Sequence, residues 1–203
     1  LLAETQIPKV FLDTSSLVSP DELNGDLLLM ESRNSVRNIT AHLLEKGCTL
    51  PGFMGDIGYA QSNRERYEGF CQALMDAGKT PNPSLCLTTP LGIDSYREEI
   101  DSFLSSLSRM PDAFVCASDY VACILMQLLE KRGLRVPEDV AVSGFDNNIE
   151  DLLAENLTTV QVFNEELGSR LALQILYRIK YPHTPHEVTY LESKVLYRAS
   201  TGD

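Results

Sequence analysis

The chain has 203 residues, 43% of them hydrophobic, and a formal net charge of −12. That is enough for one sizeable core or two small ones. The acidic balance and the lack of a Lys/Arg cluster exclude direct binding to a phosphate backbone, and no apolar run reaches the roughly 18 residues a membrane helix needs.

Lys9 to Asp13 and Asp26 to Glu31 read as short strands. Asn34 to Lys46 reads as a helix, with Val36, Ile39, Leu43 and Leu44 on one face and Gly47 as its stop. Leu50 to Met54 is the next strand. Pro51 cannot donate to a ladder, so this strand either begins late or runs along an edge. Ser62-Asn63-Arg64-Glu65 has capping-box spacing ahead of the stripe Tyr67, Phe70, Cys71 and Leu74. Ser84 to Leu87 is a weak strand, and Ser95 to Arg109 a helix presenting Ile100, Phe103, Leu104 and Leu107. Ala113 to Cys116 is a buried strand that stops at Ser118-Asp119 and leads into an apolar helix. Val140 to Val142 is a second buried strand, ending in Gly144-Phe145-Asp146-Asn147. Thr159 to Val162 is extended. Glu165 to Lys180 is an amphipathic helix with Leu167, Leu171, Ile175, Leu176 and Ile179 inward, and Val188 to Leu191 and Lys194 to Tyr197 are closing strands.

This alternation predicts an α/β fold with parallel sheet. Two consecutive strands that deliver polar residues at their carboxyl ends describe one rim of a ligand crevice. Cys48, Cys71, Cys86, Cys116 and Cys123 are odd in number and form no CxxC pair, which suits reduced thiols better than disulfides or zinc.

Three motifs carry a family likeness: Arg66-Tyr67-Glu68-Gly69-Phe70, Val136-Pro137-Glu138-Asp139-Val140 followed by Gly144-Phe145-Asp146, and Leu157-Thr158-Thr159-Val160. In this order, and along nearly the whole chain, the sequence resembles the effector-sensing domain of the LacI/GalR family of bacterial transcription regulators. The resemblance implies a periplasmic-binding-protein-like (type I) fold of two lobes joined by three crossings. Residues 1–31 and 164–187 would form a partial amino-terminal lobe, and residues 32–163 and 188–203 a complete carboxy-terminal lobe. It further implies a cytoplasmic homodimer that binds a sugar or similar small metabolite between the lobes. Operator DNA would be reached only through a headpiece absent from this chain, which is expected to be a fragment. A solute-binding protein of a transporter shares the fold and is the alternative.

The candidate site residues follow from the same resemblance. Asp146 would hold effector hydroxyls, since a carboxylate accepts several hydrogen bonds, or else cap the turn after its strand. Arg66 would offer its planar donor fork to the ligand, or else pair with Glu65 or Glu68 at the surface. Arg64 fits the motif spacing less well. Ser118 and Asp119 stand where relatives often have Asn-Asp, and Asp119 either contacts ligand or caps the helix beginning at Tyr120. Glu31 replaces the usual Asp at the first crossing, so its longer side chain would reach further into the cleft. Ser62 touches ligand or, more readily, caps its helix. Val162 offers no polar contact. With no Trp in the chain, stacking on a ligand falls to Tyr59, Phe145 or Tyr120.

Nothing in the sequence points to catalysis. His183 and His186 sit in a Pro-containing connection without an acidic partner at ligand spacing, and His42 lies inside a helix. Gly52, Gly55 and Gly58 lack phosphate-loop spacing, and no Ser lies in a Gly-x-Ser-x-Gly elbow. The expectation is a binding domain with no cofactor and no metal.

Overall fold

The computed structural model describes residues 5–92, 94–147 and 155–203. The parts of the two lobe assignments that fall on residues 1–4, 93 and 148–154 lie outside these.

Two parallel sheets form the framework. The first contains β1 (Val10–Leu12), β2 (Asp26–Met30) and β8 (Val188–Leu191), in the order β1-β2-β8. The second contains β3 (Pro51–Met54), β4 (Cys86–Leu87), β5 (Ala113–Cys116) and β6 (Ala141–Ser143), in the order β4-β3-β5-β6. β7 (Thr159–Gln161) and β9 (Lys194–Leu196) pair as an antiparallel ribbon. The helices are α1 (Arg33–Glu45), α2 (Gln61–Asp76), α3 (Tyr96–Ser106), α4 (Asp119–Lys131) and α5 (Asn164–Lys180).

The central strands are apolar throughout because both of their faces are covered. In β5, Phe114 and Cys116 enter one cluster with Leu125, Leu128 and Leu129 of α4. Ala113 and Val115 point the other way, into a cluster with Ile39 and Leu43 of α1 and Phe70 and Leu74 of α2. In β2 the same period of two sends Leu27 and Leu29 towards Leu23 and Phe11, and Leu28 and Met30 towards Leu167 of α5. Full burial of each such side chain stabilises the fold by roughly 1.5–3 kcal/mol. α1 and α2 meet at Gly69, where an added Cβ would lie 2.2 Å from the Arg33 carbonyl oxygen. Pro51 opens a central strand without cost, because β4 pairs only with Phe53 and Met54, beyond the missing donor.

Three expectations change. β8 does not join the second lobe: it lies beside β2 in register Leu27↔Val188 to Met30↔Leu191, so the chain crosses after Leu191 and not before Val188. β2, apolar from Leu27 to Met30, is thereby flanked by a strand on each side. The inward face of α5 also differs from its apolar pattern. Leu176 and Ile179 are 61% and 59% exposed, while Gln174 and Arg178 are buried. The cause is Asp26 at the head of β2, which is 1% exposed and needs donors at that depth. Arg178 Nε (3.0 Å) and Gln174 Nε2 (2.9 Å) supply them, and the Glu187 N–H adds a third at 2.9 Å. Finally, α2 starts at Gln61 with Ala60 at its N-cap, so Ser62 is not a cap.

Candidate functional site

The crevice lies at the carboxyl ends of β3, β5 and β6. Arg66, in the second turn of α2, is 7% exposed. Its Nη1 donates to the Ala117 carbonyl just past β5 and to Asn63 Oδ1 at 3.3 Å. Its Cζ sits 3.7 Å from the centroid of the Phe145 ring, and Nη2 lies 3.7 Å from Asp146 Oδ1. Its Nε is buried without a partner among the described residues. Burial pulls the guanidinium below its usual range, while Asp146, Asp13, Asp119 and Glu65 oppose that pull.

Asp146 is presented by a strained loop. Its φ is 110° and that of Asn147 is 52°, conformations that non-glycine residues adopt at an energetic cost. The loop is stitched down on one side: the Gly144 N–H donates to Thr158 O (2.8 Å) and the Asp146 N–H to Val160 O (3.0 Å). Asn147 N–H donates to Thr159 Oγ1 at 3.2 Å, and Arg198 Nη2 to Asn147 Oδ1 at 2.8 Å. The carboxylate of Asp146 is left half exposed, facing Arg66. Burial raises its pKa and the guanidinium lowers it, with a net upward shift.

Ser118, not Asp119, caps α4, its Oγ accepting from the Val121 N–H at 3.3 Å. Asp119 is 2% exposed and accepts from Thr159 Oγ1 at 2.6 Å. Gly144 passes so close that a Cβ there would fall 2.2 Å from Asp119 Oδ1. Asp119 therefore braces the loop that carries Asp146. The Glu31 carboxylate accepts from the N–H groups of Asn34 (2.6 Å) and Ser35 (3.2 Å) at the start of α1. Free helix donors within reach of the longer side chain account for these bonds. Ser62 donates to Asp13 Oδ2 at 2.6 Å.

Of the aromatic candidates, Phe145 is fully buried beneath Arg66. Tyr59 and Tyr120 are exposed, Tyr120 edge-on to Tyr96 at 5.5 Å. Val162 packs into the apolar clusters.

Two further acidic residues stand beside Arg66: Asp13, which no motif marked, and Glu65, which the sequence offered only as part of a capping box or as a surface partner of Arg66. Asp13 directly follows β1 with φ 58° and reaches across to α2. A strand ending in Asp was its one visible trace. Glu65 is buried next to Arg66 and accepts from Tyr190 Oη of β8 at 2.7 Å. Burial and this carboxylate push the Tyr190 phenol up to about 12. With the Gln61 N–H donating to Thr14 O (2.7 Å), these contacts tie α2 to the first sheet.

Parallel sheets whose strand ends frame a polar, partly desolvated crevice define an α/β domain of the cleft-binding class. The family model of the periplasmic binding protein-like domain matches residues 40–201, and the chain belongs to that family, in the form carried by LacI-type regulators. Over 198 residues it is 28% identical to the HTH-type transcriptional repressor PurR of Aliivibrio salmonicida, covering 97% of this chain and 58% of that protein. A solved LacI-family transcriptional regulator from Sanguibacter keddieii matches with a TM-score of 0.81 and 26% identity, over 97% of this chain and 72% of that one. The transcriptional regulator CelR in complex with cellobiose matches with a TM-score of 0.76 and 26% identity, over 86% of this chain and 54% of that one. The chain thus spans about three fifths of the length of the curated relatives it matches. These relatives are regulators and not enzymes, and no described helix is long and apolar enough to cross a membrane.

Proposed function

We propose that this chain is the effector-sensing region of a LacI/GalR-type transcription regulator and binds a sugar or similar small metabolite between its two lobes. The observation that carries this reading is the Arg66–Asp146 pair. A buried guanidinium and a half-exposed carboxylate 3.7 Å from its Nη2 stand side by side at the strand ends. Such a pair suits ligand hydroxyls, which both donate and accept. Asp146 and Arg66 are the ligand contacts, while Asp119, Ser118 and Glu31 position the elements around them. Ser62 acts with Asp13 as a tie between the lobes.

Ligand can change the lobe arrangement only by binding one arrangement more tightly than another. The Asp13–Ser62, Thr14–Gln61 and Tyr190–Glu65 contacts are the interlobe bonds such a ligand would compete with or reinforce. The lobes are assigned as residues 5–31 with 164–191, and 32–163 with 192–203. Operator DNA would be bound by a segment outside these residues, in a cytoplasmic homodimer. The regulator relatives favour this over a transporter's solute-binding protein. The test is retention of the gene's own promoter fragment by the full-length gene product, with and without a sugar panel. A ligand-dependent change that disappears in Asp146→Ala supports the reading; promoter binding that no metabolite alters contradicts it.

A further inference from the structure

Resting on the crevice reading above, we propose that the crevice takes an uncharged, hydroxyl-rich ligand and refuses its phosphorylated or carboxylated counterpart. Three observations carry this.

The first concerns where an anion would sit. Phosphates and carboxylates bind at helix N-termini, on free N–H groups at the positive end of the helix dipole. Three helices begin at the strand ends around the crevice, and each N-terminus already holds an acceptor of its own. On α1 it is the Glu31 carboxylate, on the N–H groups of Asn34 and Ser35. On α2 it is the Thr14 carbonyl, on the Gln61 N–H at 2.7 Å, with the Asp13 carboxylate over Ser62. On α4 it is Ser118 Oγ, on the Val121 N–H, with the acidic Asp119 in the first turn. An incoming phosphate would have to displace the protein's own groups, two of them carboxylates.

The second is the charge balance. Arg66 faces four carboxylates: Asp146, Asp13, Asp119 and Glu65. Arg64, whose Nη2 reaches Ser16 Oγ at 3.4 Å, adds one cation near the rim. Asp119 and Glu65 are buried, so their field is poorly screened by water, and it opposes a second anion.

The third is what remains unfilled. The Arg66 fork is partly spent, Nη1 on the Ala117 carbonyl, and is not free to grip a phosphate with two parallel bonds. Its Nε–H is buried without a partner among the described residues, so the group left facing outward is the half-exposed carboxylate of Asp146, a set of acceptors. A hydroxyl can donate to these acceptors; an ionised phosphate oxygen has no proton to donate and is repelled by them.

The experiment uses the full-length gene product in titration calorimetry and thermal shift. The probes are glucose, ribose and cellobiose, the phosphate esters of glucose and ribose, and inorganic phosphate alone. The expected result is saturable binding of a neutral sugar, with no saturable binding of any phosphorylated probe. Glu65→Gln and Asp119→Asn, tested separately in case one fails to fold, should narrow the neutral-to-anion preference by about tenfold. Saturable binding of inorganic phosphate or of an ester tighter than its parent sugar, lost in Arg66→Ala, overturns the proposal while the crevice reading stands. Binding of a neutral sugar that is unchanged in Asp146→Ala and Arg66→Ala overturns the crevice reading, and this proposal with it.

Discussion

Replacing Arg178 by Met removes the cation from a buried carboxylate while keeping much of the side chain's volume. Asp26 and Arg178 are 1% and 3% exposed, and the guanidinium holds both carboxylate oxygens through Nε and Nη2. The same guanidinium fixes the turn into β8, donating to Thr184 Oγ1 and the Pro185 carbonyl, each at 2.9 Å. In Arg178→Met, Asp26 keeps Gln174 and the Glu187 N–H but loses its counter-charge, a break that costs about 3–5 kcal/mol at neutral pH. That is a large part of the roughly 5–15 kcal/mol that holds an ordinary domain together.

The loss must also depend on pH. Burial pushes the Asp26 carboxyl up, but Arg178, Gln174 and the Glu187 N–H outweigh it and hold the pKa below its ordinary value. A depressed carboxylate pKa contributes stability above the unfolded value of about 3.9, and this stability is lost as pH falls through the folded value. Without Arg178 the same group is easier to protonate, so the gap between wild type and variant should be widest near pH 7 and shrink below about pH 4. Urea unfolding followed by circular dichroism at both pH values reads the gap directly. A loss under about 1 kcal/mol, or one of equal size at both pH values, refutes the assignment of Asp26 and Arg178 as a stabilising buried pair.

Other perturbations test the site and its supports. Gly144→Ala places a Cβ 2.2 Å from Asp119 Oδ1 and 3.0 Å from Asp119 Cα; overpacking of about 1–3 kcal/mol and weaker ligand binding should follow, measured by thermal melts and calorimetry. Tyr190→Phe removes the donor to buried Glu65 and should cost about 1–2 kcal/mol in urea unfolding; an unchanged midpoint would mean the contact is idle. Asp112 accepts from the Thr49 and Leu50 N–H groups ahead of β3 (2.7 and 2.9 Å), and Asp112→Ala should cost about 1–3 kcal/mol in the same measurement. Leu176→Glu, on the exposed face of α5, should shift stability by no more than about 0.5 kcal/mol; a larger loss would place that face inside a core.

How far the sequence could be read depended on the range of the interactions involved. β2 and β5 were legible because a strand buried on both faces must be apolar at successive positions, as Leu27 to Met30 and Ala113 to Cys116 are. Arg66 and Asp146 were legible as a motif, and the fold brings them within 3.7 Å. The face of α5 was misread because a single buried carboxylate, Asp26, redirects it towards Gln174 and Arg178. That partner stands 152 positions away, where no local periodicity can signal it. Glu65 and Tyr190 are 125 positions apart, and Asp13 and Ser62 49, so their pairing is likewise a product of the fold alone. β8 was assigned to the wrong lobe for a related reason. Its alternating, half-exposed side chains suit an edge strand of either sheet, and pairing with β2 decides between them. The capping role of Ser62 was misplaced at the scale of a single turn. Helix α2 already begins at Gln61, two residues ahead of the expected Asn63, which puts its cap at Ala60, and the N–H groups at the start of α1 hold the Glu31 carboxylate.

The central claim is that Asp146 and Arg66 together hold a neutral ligand, and titration of one neutral sugar into wild type and Asp146→Ala tests it most directly. The account predicts that affinity falls by about 30-fold or more, the worth of a lost charge-assisted hydrogen bond, while the circular dichroism spectrum stays unchanged. Equal affinity in the two proteins would contradict it.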